Sequence, residues 1–185
     1  MITKRKVFIV QMLLLFVGTV IIAKPLSETI VWKVGNILDR KYRWDNITKK
    51  QHLLPVAWME IPEINLSTFV VAYDTEDNLS RYPCLADSSA LKEKGLNVIL
   101  GHRDMQFFKL KDLQDSLFIE FEFSDKSKLR YSICETEVVP KDAAEKRLND
   151  KQDEDWLVLM TCHPFLFVGS APDRFLVWAK KVEET

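Results

Sequence analysis

The sequence predicts a mainly β domain, a closed or nearly closed barrel of short strands, behind an N-terminal apolar segment. Its apolar stretches are short, rich in Val, Ile, Phe and Tyr, and separated by clusters of Pro, Asp and Asn. The stretch 117–123 alternates with Glu120 and Glu122, as a strand with one wet face does. Many short strands with few helical patterns are typical of barrels. The predicted strands are 56–61, 67–73, 97–100, 117–123, 129–139, 156–161 and 174–180.

The first 24 residues predict a transmembrane signal anchor. Lys4-Arg5-Lys6 precede an uncharged run, residues 7–23, which Lys24 and Pro25 end. At about 1.5 Å per residue the run is roughly 25 Å long, the lower limit for a bilayer span. Because basic flanks stay in the cytoplasm, we expect a single-pass protein of the cell membrane with its bulk on the outer side, periplasmic or extracellular. A cleaved signal peptide is the alternative, and Ile21 near the cut site disfavours it.

Residues 25–52 predict an amphipathic helix and a linker. A one-sided apolar stripe runs from Ile30 to Leu38, and the polar tract 45–52 leads into a catalytic domain expected over 53–185. Short helices are predicted at 106–113 and 141–148, where charges and alanines replace β-branched residues.

Composition and motifs exclude several function classes. The net charge of -1 gives no reason to expect a nucleic-acid partner. The sequence holds no GxGxxG, GxxxxGK[ST] or HExxH pattern, so nucleotide and zincin sites have no support. There is no Cys-x-x-Cys redox motif either. Cys84 and Cys134 either pair with each other or are both free, which leaves Cys162 as a free thiol.

Three predicted strands each place one reactive or cationic side chain at an end. His102 follows the stretch 97–100, Cys162 ends the stretch that begins at Trp156, and Arg174 opens the last one. A cysteine nucleophile needs a base or ion-pair partner for its sulfur and a cation for the developing oxyanion. These three residues are therefore the predicted catalytic group.

The sequences around these residues resemble the signatures of sortases, membrane-anchored cysteine transpeptidases. The resemblance lies in Gly101-His102-Arg103, Leu159-Met160-Thr161-Cys162 and Arg174-Phe175-Leu176-Val177, in that order, and extends over about residues 55–182. The segment 161–175 is similar to sortases of Gram-negative bacteria, the class GN or marine proteobacterial type. Two departures are Val158, where the common pattern has Thr, and the segment 79–95, which lacks the usual glycines and normally borders the substrate groove.

The resemblance implies a roughly eight-stranded barrel and a defined reaction. Cys162 would lie at the end of the seventh strand, Arg174 in the eighth, and His102 in the loop after the fourth. Cys162 would cleave an LPxTG-like signal near a substrate protein's C-terminus and hold the product as a thioacyl-enzyme until an amine acceptor resolves it. His102 would carry the proton, and Arg174 would bind the oxyanion or the substrate backbone.

Neighbouring residues receive secondary roles. Thr161 is predicted to line the substrate pocket, and Phe165 and Phe167 to wall an apolar groove, with core packing as the alternative for both aromatics. His163 should point away from the sulfur because consecutive strand residues alternate. Arg103 is interpreted as structural, paired with Asp104 or another acidic neighbour.

No cofactor or metal is expected. The acidic run Asp150, Asp153, Glu154 and Asp155 is interpreted as a solvated loop, with a calcium site as the alternative. Two other functions stay open: a thiol hydrolase with the same fold, and a catalytically silent, membrane-tethered barrel that binds peptide tails.

Overall fold

The computed structural model describes residues 53–86, 88, 90–91, 94–114 and 117–182, together with Gln11, Met12, Trp44 and Ile47. The chain divides into two compact units, Met1–Ile37 and Leu38–Thr185, and the second holds nearly all of the described residues. The predicted anchor, except for Gln11 and Met12, and most of the predicted amphipathic segment lie outside the described residues. Within the described part, no helix has the length and apolar character needed to cross a bilayer.

Eight strands close into a barrel within the described residues, in the order β1-β2-β3-β4-β7-β8-β6-β5. Pairing of β1 with β5 closes the ring, and β4 with β7 and β2 with β3 are the parallel pairs. The strands are β1 Pro55–Ile61, β2 Leu66–Ala72, β3 Cys84–Leu85, β4 Asn97–Leu100, β5 Phe118–Glu122, β6 Lys128–Pro140, β7 Leu157–His163 and β8 Asp173–Lys181. The mainly β barrel predicted from the sequence is therefore confirmed.

Alternate residues of the central strands fill the barrel. On β7, Leu157 and Leu159 belong to the interior cluster, which also contains Ile99 of β4 and Val177 of β8. Val158 lies between them and belongs to a different cluster on the outside. Since side chains alternate between the two faces of a strand, odd-numbered positions of β7 face the interior and even-numbered positions face outward.

Two smaller apolar clusters cover the outside of the barrel. One contains Trp58 and Phe69, and Ile47 packs into it with no exposed surface while the Trp44 ring meets Phe69 edge-on at 5.3 Å. The other is built around Trp156 and Trp178, whose rings meet edge-on at 5.7 Å. Residues before the first strand thus contribute to the packing of the barrel wall.

Short helices complete the fold. They are α1 Glu76–Leu79, α2 Lys141–Asn149 and two 3-10 turns, Pro62–Ile64 and Phe108–Asp112. The predicted helix 141–148 corresponds to α2, and the one predicted at 106–113 is the shorter second 3-10 turn. Neither α1 nor the two-residue strand β3 was predicted, because four and two residues are too few to show a period.

Candidate active site

Cys162 and Arg174 lie directly opposite each other. They are paired residues in the antiparallel ladder of β7 and β8. Directly opposed residues in an antiparallel pair project from the same face of the sheet. Cys162 shares its face with Val158 and Met160, so this is the outer face of the barrel wall. The thiol and the guanidinium therefore stand side by side on the outside of the barrel.

His102 follows the strand on the other side of β7. The parallel ladder of β4 and β7 pairs Leu100 with Met160, and the Gly101 N–H extends it by donating to the Met160 carbonyl at 3.2 Å. His102 is the second residue after Leu100, and Cys162 is the second residue after Met160. Because β7 lies between β4 and β8, the cysteine has the strand that leads to His102 on one side and the strand of Arg174 on the other. All three side chains are partly exposed.

A close packing contact explains the glycine before the histidine. A Cβ atom on Gly101 would lie 2.6 Å from the ring of Phe107, which is fully buried. The Gly101 carbonyl accepts a hydrogen bond of 2.7 Å from the hydroxyl of Thr161. The chain therefore turns away from β4 over an aromatic side chain, while a buried bond ties the turn to β7. We refer to residues 101–107 as the His102 loop.

Arg174 is oriented by two backbone carbonyls at and just before the start of its strand. Its Nη1 donates to the carbonyl of Asp173 at 2.9 Å and more weakly to that of Ala171 at 3.5 Å. Among the described residues no carboxylate pairs with it, so its remaining N–H groups are available to a ligand. A guanidinium held at one edge and open at the other suits recognition of a carbonyl or an oxyanion.

Three of the neighbouring residues face the barrel interior. Thr161 is 3% exposed, and its hydroxyl is used in the bond to Gly101, so the side chain does not reach the surface that Cys162 faces. His163 stacks on Phe175 at 6.3 Å and meets Phe165 edge-on at 5.8 Å. Phe165 in turn packs on the interior cluster. Thr161 and Phe165 thus make packing contacts, which for Phe165 was the stated alternative, and the contact of either residue with substrate stays a prediction.

Arg103 holds the loop that follows the cysteine. Its Nη2 donates to the carbonyls of Phe167 at 2.9 Å and Gly169 at 3.1 Å, and its guanidinium lies 5.8 Å from the Phe167 ring. The predicted pairing with an acidic neighbour was wrong, because the two carbonyls come from a segment more than sixty positions away in the sequence. Residues 164–172 form this β7–β8 loop. Phe167 is 46% exposed there and remains available to a ligand.

An open cavity of about 580 Å³ adjoins the site. Leu100 and Met160 line it, and they precede His102 and Cys162 by two residues on the same face of the sheet. The segment 79–95, predicted to border the substrate groove, contributes to its other wall. The remaining lining residues are Asp74, Leu85, Ala86, Ser88, Lys94, Gly95, Leu96, Asn97, Val98, Leu148, Asn149, Gln152 and Asp153.

Two of the four acidic residues before β7 are bonded to protein groups. Asp155 accepts the N–H of Gly95 at 2.6 Å, and Glu154 accepts the indole N–H of Trp156 at 2.9 Å. Among the described residues no group of three potential ligands is placed to hold a metal ion.

The other two cysteines do not form a disulfide; all three cysteines are free. Cys134 is exposed, whereas Cys84 is fully buried on β3. Burial and the nearby Asp74 carboxylate raise the pKa of Cys84 to about 12. Because the thiolate is the reactive form, Cys84 is inert near neutral pH.

Sequence comparison assigns the family. The model of the sortase domain matches residues 59–182. The chain belongs to the sortase family. Sortase D of Bacillus subtilis (strain 168) is 32% identical over 130 residues, which cover 67% of this chain and 62% of that protein.

Solved sortase structures share the fold. Sortase A from Corynebacterium diphtheriae superposes with a TM-score of 0.62 at 23% identity, covering 74% of this sortase and 65% of that chain. Sortase C1 of Streptococcus agalactiae gives 0.59 at 24% identity, covering 71% and 69%. The matched part of this sortase spans less than two thirds of the Bacillus and Corynebacterium proteins.

Proposed function

We propose that this sortase is a cysteine transpeptidase. It cleaves an LPxTG-like signal near the C-terminus of a substrate protein and transfers the new carboxyl end to an amine. The observation that carries the proposal is the pairing of Cys162 with Arg174 across β7 and β8, with β4, the strand that leads to His102, on the other side of β7.

The proposed reaction assigns one side chain to each step. The Cys162 thiolate attacks the scissile carbonyl, and Arg174 donates to the oxygen as it gains negative charge. The C–N bond then breaks, His102 gives its proton to the departing amine, and a thioester to Cys162 remains. An acceptor amine attacks that thioester, loses a proton to His102 and displaces the thiolate, which restores the starting state.

The cavity beside the site supports binding of an extended peptide. Leu100, Met160 and Leu85 give it apolar walls that suit the Leu and Pro side chains preceding the scissile bond. Phe167, exposed on the β7–β8 loop, contributes a further apolar contact on the side of Cys162. The segment 79–95 lacks the glycines that are usual in sortases. It determines which signal sequence the enzyme accepts.

The location of the enzyme is part of the same proposal. The basic residues Lys4-Arg5-Lys6 and the uncharged run 7–23 anchor the protein in the cell membrane with its catalytic domain on the outer side. Anchored enzyme and anchored substrates share one surface, which raises their effective concentration. The similarity of segment 161–175 to sortases of Gram-negative bacteria supports the class GN type and a periplasmic domain.

Intact-mass measurement on the full chain tests the activity. The chain is mixed with an LPxTG-type peptide, with and without an added amine, beside Cys162→Ala and the matched thiol variant Cys134→Ser. We expect a mass increase equal to the N-terminal peptide fragment in the wild type and in Cys134→Ser, discharged by amine, and none in Cys162→Ala. Discharge by water at the same rate with or without amine would indicate a thiol hydrolase. Binding of the peptide without any adduct would indicate a silent peptide-binding barrel and contradict the proposal.

A further inference from the structure

A buried glutamine holds the backbone of the residue proposed to carry the proton. Gln106 is 2% exposed, and its Oε1 accepts the backbone N–H of His102 at 2.8 Å. The His102 carbonyl accepts from the N–H of Phe107 at 3.0 Å. The backbone N–H and carbonyl of His102 are therefore both hydrogen-bonded within the His102 loop. The loop can shift at this residue only by breaking one of these bonds.

The same glutamine ties the loop to α1. Its Nε2 donates to the Leu79 carbonyl at 2.9 Å. His102 offers an N–H at this point and Leu79 offers a carbonyl, so both bonds form with one orientation of the amide. Asn78, the residue before Leu79 in α1, fixes this helix to the end of β2, because its Nδ2 donates to the carbonyls of Ala72 and Tyr73 at 3.0 and 3.1 Å. Hydrogen bonds thus connect the end of β2 with His102 through α1 and Gln106.

We propose that Gln106 is a positioning residue that fixes the distance between the His102 imidazole and Cys162. The proposal rests on the proposed role of His102 in proton transfer. A general acid acts only within hydrogen-bond reach of the group it protonates, and a misplacement of about 1 Å costs on the order of 100-fold in rate. Removing the Gln106 amide leaves the part-buried N–H of His102 and the part-buried carbonyl of Leu79 without their partner, and the loop moves to pair them.

The experiment compares variants of the full chain in a Cys134→Ser background, which removes the exposed thiol. Two readouts are used: kcat/KM with an LPxTG-type peptide, and the rate of Cys162 alkylation by iodoacetamide as a function of pH. The alkylation profile reports the coupling of the thiol to His102 without any substrate. Thr68→Val is the matched control, since Thr68 is equally buried at 1% exposure and lies on β2, which carries no site residue.

For Gln106→Met we expect kcat/KM to fall roughly 10- to 100-fold, with an alkylation profile shifted toward that of His102→Ala. Gln106→Glu keeps an acceptor for the His102 N–H and should recover part of that loss. Asn78→Ala leaves Gln106 in place but frees α1, so it should shift the profile in the same direction by less. Thr68→Val should lower the melting temperature and leave the profile unchanged.

A wild-type profile and kcat/KM for Gln106→Met would overturn the positioning role. A loss in Thr68→Val as large as that in Gln106→Met would show a merely structural effect and overturn it as well. If Gln106→Met does not fold, Asn78→Ala decides, and an unshifted profile there would refute the proposal. Failure of the proposed function is a separate result, because the wild-type chain would then form no peptide adduct on Cys162.

Discussion

Two loops border Cys162, and they are held in place in opposite ways. The His102 loop is fixed by a part-buried bond from the His102 N–H to the buried Gln106 side chain and by a buried bond from the Thr161 hydroxyl to the Gly101 carbonyl. The β7–β8 loop projects Leu166 at 81% and Val168 at 99% exposure, and its two bonds to Arg103 are exposed. The loop that carries His102 is therefore held by buried and part-buried bonds, whereas the β7–β8 loop is held by one accessible cation.

The difference predicts how each region tolerates change. A buried hydrogen bond is electrostatically stronger and costly to leave unmade, so the His102 loop should respond to small substitutions. Exposed interactions of a cation contribute little to stability. Substitutions that loosen the β7–β8 loop should therefore alter substrate binding without unfolding the domain. The predictions below test this contrast, beginning with the largest expected effect.

Arg174, paired with Cys162, lies on strand β8 and not on either loop. We expect this position to tolerate no other residue. We expect Arg174→Lys to lower kcat/KM by about 100-fold or more, because an ammonium cannot both bond the Asp173 carbonyl and donate to the oxyanion with a planar fork. Steady-state kinetics with an LPxTG-type peptide give the value. Lys180→Arg, at an exposed position of the same strand, is the control and should be silent. Kinetics of Arg174→Lys within a few-fold of the wild type would contradict the assignment of Arg174.

The same substitution in each loop gives the most direct comparison. Gly101→Ala puts a Cβ 2.6 Å from the Phe107 ring, so we expect it to cost about 1–3 kcal/mol of stability and roughly tenfold in kcat/KM. In Gly169→Ala the new Cβ meets open space, and the cost is limited to strain at φ +94°. Thermal unfolding and kinetics of both variants decide the matter. Equal losses of activity in the two would abolish the contrast between the loops.

Loosening the β7–β8 loop should affect binding more than chemistry. Arg103→Met removes both bonds to the loop, and we expect a several-fold rise in KM, a nearly unchanged kcat and less than about 1 kcal/mol of lost stability. Arg103→Lys keeps a donor at the same place and should lie closer to the wild type. A fall in kcat with an unchanged KM would mean that Arg103 acts on the reacting groups and not through the loop.

The buried thiol of Cys84 predicts an effect that is absent at neutral pH, a loss of stability at high pH. Its pKa rises from 9.0 to about 12 in the folded chain, so the folded state retains a proton that the unfolded state loses. The contribution is complete below pH 9 and is lost as the pH rises toward 12. Chemical denaturation at several pH values should show a steeper decline for the wild type than for Cys84→Ala. Parallel curves would refute the buried, protonated thiol.

Much of the barrel could be predicted because its long strands are patterned locally. The seven predicted strands match β1, β2 and β4 to β8 to within two residues at each end. Alternation along β7 also predicted that His163 turns away from the sulfur, in agreement with its contacts to Phe165 and Phe175. Applied to Thr161, the same alternation predicts an inward-facing side chain, so the expected substrate contact came from its adjacency to Cys162 alone.

The rest of the site depends on contacts between distant parts of the chain. Gln106 meets Leu79 across 27 positions, and Arg103 meets Gly169 across 66. No local periodicity reports such pairs, so neither partner could be predicted from the sequence. The roles of His102, Cys162 and Arg174 in the reaction remain predictions, now with a register that pairs Cys162 with Arg174.

The packing of Trp44 and Ile47 on the outer wall makes these two residues part of the folded barrel domain. A shortened chain that begins at the first strand would uncover the apolar surface around Phe69 and Trp58, to which they contribute. Exposed apolar surface lowers stability and promotes association. A truncated form that keeps the fold should therefore begin before Trp44.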